Sequence, residues 1–149
     1  MMKKESKNVR YSGFRGKNIQ LDDQGQPLYS SALFYCEYLS ENRNLDICVT
    51  DGLNGTTVVF NAVVELRFKY TGPPCLINVT CHPRGITTDI QGRILTTESN
   101  SNLIHIVDLD GQFLCFIDNC NLPHPWGKCV DSKNNLFVGE FKACKVKKK

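Results

Sequence analysis

The sequence predicts an all-β fold built from repeated four-stranded antiparallel sheets. Three observations predict it. Segments of the chain recur at offsets of 42 and 47 residues. The apolar residues fall in short β-branched and aromatic runs separated by Asp, Asn, Gly and Pro. No stretch of ten or more residues holds a 3.6-residue apolar period.

The repeat is explicit in the residues. Pro83-Arg84-Gly85-Ile86-Thr87-Thr88-Asp89 lies over Pro125-Trp126-Gly127-Lys128-Cys129-Val130-Asp131 at an offset of 42, and the match continues without a gap to Glu98 over Glu140. A third copy lies 47 residues upstream: the segment ending at Asp51 matches the one ending at Glu98, and Val58-Val59-Phe60-Asn61 matches His105-Ile106-Val107-Asp108. A fragment of a fourth copy aligns Leu21–Leu28 with Val107–Leu114, keeping Asp, Gly, Gln and Leu in step. Within one repeat the strands are expected at 85–88, 93–97, 103–108 and 112–117, the last two joined through Asp110-Gly111. Gly suits a hairpin there because it adopts positive φ without a Cβ clash. Strands near 127–130, 135–139 and 143–147 follow, and strands near 17–21 and 26–30 precede.

A four-stranded unit of this length is the size of a propeller blade. One blade cannot bury both of its faces, so it must stack on its neighbours. The expected fold is therefore an incomplete β-propeller of about three blades. A basic leader, 1–16, precedes the repeats at 17–149, divided into a remnant at 17–35, blades at 36–70 and 83–122, and an incomplete blade at 125–149. Three blades do not close a ring, and their open faces are surfaces for self-association; the chain is expected to be a fragment of a longer propeller, with a homodimer that completes the ring as the alternative.

Charge is divided along the 149 residues. Residues 1–20 carry +5 and residues 140–149 carry +4, while 21–139 carry −6, for a net +3. The acidic middle argues against nucleic acid as the first partner, because phosphate binding needs Lys and Arg to displace counterions. No apolar run is long enough to span a membrane, and no apolar segment follows the basic N-terminus; a cytoplasmic, reducing location is expected. The eight cysteines fit that setting, since no two are separated by only two residues, the spacing zinc modules use. Cys75, Cys81 and His82 come nearest to a cluster, and neither metal nor cofactor is expected. Asn54-Gly55-Thr56 and Asn78-Val79-Thr80 read as turns.

Catalytic residues are not expected either. His82, His105 and His124 are the only histidines, and Cys120 with His124 lacks a third, orienting group. Asp89 and Asp131, with Asn42 at the matching place, recur at the repeat period and read as turn-fixing side chains; Asp51, Glu98 and Glu140 read the same way. Pro83, Gly85, Asp110, Gly111, Pro125 and Gly127 complete the structural positions of the repeat. Partner-binding candidates are Arg84, Trp126, His124 and Lys128. Trp126 has two readings, a contact on a binding face or a packing residue between blades, and packing is the simpler one. The Lys145–Lys149 end reads as an alternating outer strand or, second, as a nuclear signal or phosphate contact.

The pattern Pro-x-Gly, four residues ending in Asp, turn, strand and acid, then strand–Asp-x-Asp-Gly–strand, resembles the NHL repeat. Asn42–Asp51, Gly85–Asp89 and Asp118–Asn121 are similar to the NHL region of tripartite-motif proteins, over roughly 17–149. Two turns depart from it: Val63-Val64 stands where Asp-Gly belongs, implying a distorted or rebuilt turn, and Asn134-Asn135 where a Gly is usual. The resemblance implies a non-catalytic module that selects ubiquitylation substrates, the RING of such ligases being absent here. It implies, second, single-stranded RNA binding on the propeller face.

Overall fold

The computed structural model of the protein describes residues 23–27, 38–76, 81–118, 123–142 and 144–149. The leader 1–16, Cys36, Cys120, Asn78 and all of the expected remnant at 17–35 except 23–27 lie outside the described residues.

The described residues form three antiparallel meanders. Strands β1 (Tyr38–Glu41), β2 (Ile47–Asp51), β3 (Thr56–Phe60) and β4 (Leu66–Tyr70) make the first sheet, in chain order. Strands β5 (Pro83–Thr88), β6 (Ile94–Glu98), β7 (Leu103–Val107) and β8 (Phe113–Ile117) make the second. Strands β9 (Pro125–Val130), β10 (Leu136–Glu140) and β11 (Lys145–Lys148) make a three-stranded third. The only helical element among the described residues is a 3₁₀ turn at Pro74–Leu76, between the first two sheets. β5 and β9 each begin two residues earlier than the sequence suggested, at Pro83 and Pro125, because proline needs no ladder donor at a strand's first residue.

Stacking explains the burial. β1 and β2 pack on β5, and β5 and β6 pack on β9. Side chains alternate across a strand, so consecutive residues of β6 serve two interfaces. Ile94 joins Cys48, Val59, Tyr70, Ile86 and Val107 between the first and second sheets. Leu95 joins Ile104, Leu136 and Val138 between the second and third. Every residue of β6 is therefore buried, whereas β10 alternates and β11 is largely exposed. Burying one such aliphatic side chain stabilises by roughly 1.5–3 kcal/mol.

One turn design closes five hairpins. Asn42, Asn61, Asp89, Asp108 and Asp131 each accept, through Oδ1, the backbone N–H groups two and four residues on, at 2.8–3.1 Å. The carbonyl of each also accepts the N–H three residues on, from Leu45, Val64, Gly92, Gly111 and Asn134. Those five residues all have positive φ, from 63° to 87°. The pattern is a tight turn followed by a left-handed residue, one of the standard hairpin closures. Two expectations are corrected here. The β7–β8 loop starts at Asp108, with Gly111 as its left-handed residue, rather than resting on Asp110-Gly111 alone. The turn holding Val63-Val64 is not distorted either: Asn61 builds it fully, and Val64 is driven to φ 68°. Asn134 takes the glycine's place at φ 63°, as expected of Asn.

A second design closes the opposite ends. Asp51 accepts the N–H groups of Leu53 and Asn54, and Glu98 those of Asn100 and Ser101. The residue four places after each acid is left-handed: Gly55, Asn102 and, after Glu140, Cys144. Glu140 itself pairs with Lys147 at 3.0 Å.

Leu45 is exposed, so its side chain contributes little while its backbone at φ 63° is unfavourable for a residue with a Cβ. Leu45→Asn is expected to raise unfolding stability by about 1 kcal/mol, read as a higher urea midpoint with an unchanged slope.

Candidate partner-binding site

The acid-closed loops and the chain segments that pass from one sheet to the next lie at the same end of the strands. Here the repeat writes His82-Pro83-Arg84-Gly85 and His124-Pro125-Trp126-Gly127. The two histidines hold equivalent backbone places: Ser99 N–H donates to the His82 carbonyl and Phe141 N–H to the His124 carbonyl, each at 3.2 Å. His82 N–H donates to Glu98 Oε1 at 3.0 Å, and His124, at φ 54°, donates its N–H to Asn102 Oδ1 at 2.9 Å.

From this frame Arg84 and Trp126 meet. The Arg84 guanidinium lies 5.1 Å from the Trp126 ring centroid, a cation–π contact. Phe141 stacks on the indole at 4.6 Å with its plane tilted by 28°. The indole Nε1–H donates to the Tyr38 hydroxyl. One ring thus touches all three sheets, while Phe141 remains 61% exposed. Trp126 packs between blades, with the half-buried Arg84 on one side and the exposed Phe141 ring on the other. Tyr38 and Phe141 were not singled out from the sequence. Phe141 sits 42 residues after Ser99, so the repeat places it at this end but gives no hint that it is aromatic for a purpose.

The other two candidates sit differently. His124 is exposed at the rim of this end. Lys128 turns inward from β9 across to the second sheet, where its amine donates to the Gly85 carbonyl and, at 3.3 Å, to Thr97 Oγ1. Burial holds that amine well below its ordinary pKa. Lys128 is spent on joining two sheets.

Gly85 and Gly127 share a place in the repeat but not their surroundings. A β-carbon on Gly85 would overlap the Trp126 backbone carbonyl, whereas nothing lies within 4 Å of one on Gly127. The register break in β5 between Pro83 and Ile86 is what turns the Gly85 carbonyl out of the ladder toward Lys128. The first two sheets are tied further by Arg67, which pairs with Asp46 of its own sheet and, at 3.3 Å, with Asp110 of the next. Gly111 is pressed against the Phe68 ring at the same seam.

Among the described residues, several titratable groups are shifted by burial and by their hydrogen bonds. Burial, then the Asp46 charge, pushes the Cys48 thiol up to about 12. Burial raises Cys81 as well. His105 lies inside the stack, its Nδ1 2.9 Å from the Tyr70 hydroxyl, and burial lowers its pKa from 6.5 to about 4. Burial tends to raise Glu98, but its hydrogen bonds from Ser101, Asn100 and His82 outweigh that and hold it below the usual range. Among the described residues no group of three or more His, Cys, Asp or Glu side chains is placed to hold a metal ion, and no helix is long and apolar enough to cross a membrane.

Solved structures place this architecture. A streptogramin B lyase matches 86% of this chain and 45% of its own, at 20% identity and a TM-score of 0.61. This is a β-propeller fold. A catalytically inactive virginiamycin B lyase from Staphylococcus aureus, solved with quinupristin, matches 74% of this chain and 39% of its own at 21% identity and a TM-score of 0.59. The Cps50 (Swd1) β-propeller domain from Myceliophteria thermophila matches 74% of this chain and 36% of its own at 9% identity and a TM-score of 0.60. The chain therefore spans less than half the length of these propeller proteins, and the likeness is one of fold. No protein-family model and no curated protein matches the chain.

Two outcomes follow from this geometry. Gly85→Ala is expected to cost about 1–3 kcal/mol, because two backbones must part, while Gly127→Ala stays within about 0.5 kcal/mol of wild type; urea unfolding of both variants measures the contrast. His105 binds its proton less readily folded than unfolded, so its contribution is complete above pH 6.5 and is lost as the pH falls toward about 4. Unfolding stability should decline over that window, and His105→Gln should flatten the decline between pH 6.5 and 5, before Glu98 protonation adds its own loss.

Proposed function

We propose that the chain is a non-catalytic protein-interaction module, and that its partner docks on the end of the sheets where Arg84, Trp126 and Phe141 meet. The observation that carries this reading is the exposed Phe141 ring stacked on Trp126 with the Arg84 guanidinium on the same indole. Trp, Tyr and Arg are the side chains that most often dominate interface energies. Here they are pre-ordered by the sheets, so little side-chain entropy remains to be lost on binding.

The NHL-like pattern of the repeats supports a finer reading. The module would select substrates for a ubiquitin ligase of the tripartite-motif kind, with the transfer chemistry performed elsewhere. A cytoplasmic setting accords with that role. RNA binding is the second reading, and the placement of the lysines weighs against it: Lys128 is turned inward onto Gly85, and Lys147 is paired with Glu140.

Phe141→Asp tests the first reading. The side chain is exposed, so the thermal midpoint should stay within about 2 °C of wild type, while recovery of specifically co-purifying proteins falls roughly tenfold. Unchanged recovery overturns the site. Filter binding to an RNA pool at two salt concentrations tests the second: a steep salt dependence that survives removal of both basic ends would put RNA first.

A further inference from the structure

Three polar atoms inside the stack have no hydrogen-bond partner among the described residues: Thr57 Oγ1, Thr96 Oγ1 and His105 Nε2. Their residues are only 2%, 2% and 1% exposed. Leaving a buried hydroxyl or imidazole nitrogen unpaired costs about 1–3 kcal/mol each, and three such losses in one small interface would be a large fraction of a domain's stability.

They are not scattered. All three line one cavity between the first two sheets, together with Tyr70, Glu98 and Cys81. The strand registers bring them there. Thr96 stands directly across from His105 in the β6–β7 pair, and Thr57 across from Tyr70 in the β3–β4 pair. Stacking the sheets then sets one cross-strand pair against the other, with the Tyr70 hydroxyl 2.9 Å from His105 Nδ1. With that hydroxyl as donor, the ring proton sits on Nε2, which needs an acceptor. The cavity leaves about 10 Å³ of room for the centre of a water-sized sphere, close to what one water molecule requires.

We infer that one ordered water molecule is bound in this cavity, accepting from His105 Nε2–H and hydrogen-bonding Thr57 Oγ1 and Thr96 Oγ1, and that it acts as a polar fastener between the first two blades. Water suits the site on three counts. It is both donor and acceptor, so it matches either orientation of the threonine hydroxyls. Three partners is the usual number for a buried water. Nothing larger fits. The site owes nothing to the partner-binding face, which lies around Trp126.

The sign of a substitution tests this. Thr→Val keeps the shape and removes the hydroxyl. If the water is bound, Thr57→Val and Thr96→Val each lower the urea midpoint, and the double variant loses less than the two separate losses combined, because both hydroxyls serve one molecule. If the cavity is dry, each substitution removes an unpaired polar atom and raises the midpoint, which overturns the inference. The wild-type protein supplies an independent reading that needs no variant to fold. NMR should show His105 as the Nε2–H tautomer with a cross-relaxation peak from that proton to water. An Nδ1–H tautomer, or no water peak to an observed Nε2–H, overturns it too.

Discussion

Everything in this molecule follows from a sheet that cannot hide both of its faces. A four-stranded meander has an apolar surface above and below, and only another sheet covers either. The consequence is written into β6, where Ile94 turns to one neighbour and Leu95 to the other, so that a strand with threonines and a glutamate among its five residues is buried throughout. Two of its polar residues are held by specific partners: Glu98 by the turn it closes, Thr97 by Gly85 and Lys128. The stack is thus apolar in bulk and polar at chosen points along its seams.

The seams differ in kind. Between the first two sheets the joint mixes a hydrophobic core with the Arg67 pairs and side-chain bonds such as Thr88 to the Glu41 carbonyl. Between the second and third, the backbones come so close at Gly85 and Trp126 that no side chain is admitted, and a lysine amine takes up the carbonyl that the bulge releases. The candidate docking face is built on this second seam. Its indole is fixed by neighbours from every sheet, so the face and the stacking that supports it are a single arrangement.

The blade architecture was legible because turn residues are under local constraints that packing does not erase. Asn42, Asp89 and Asp131 kept step with the repeat since each must accept the same two N–H groups. The glycine pattern was a poorer guide. Val64 and Leu45 occupy positions that favour glycine, because the Asn at the head of each turn supplies enough hydrogen bonds to hold a disfavoured backbone in place. The face was only half visible. Arg84 and Trp126 stood out by their place in the repeat, whereas Tyr38 reaches the indole from another sheet and Phe141 stacks on it from the loop after β10 of the same sheet, at a repeat position that holds Ser99 one blade earlier. The inward course of Lys128 was hidden for a similar reason: it depends on a register break in the neighbouring blade.

The self-contained turns bear on how such a chain acquires its shape in time. Five hairpins are each clasped by a side chain no more than four residues from the groups it binds, so they can close without waiting for any distant segment. Hairpin closure takes on the order of 1–10 μs. Hydrogen bonds between neighbouring sheets join residues some 30 to 50 positions apart, and the one from Trp126 to Tyr38 spans 88; these long-range encounters set the pace of assembly.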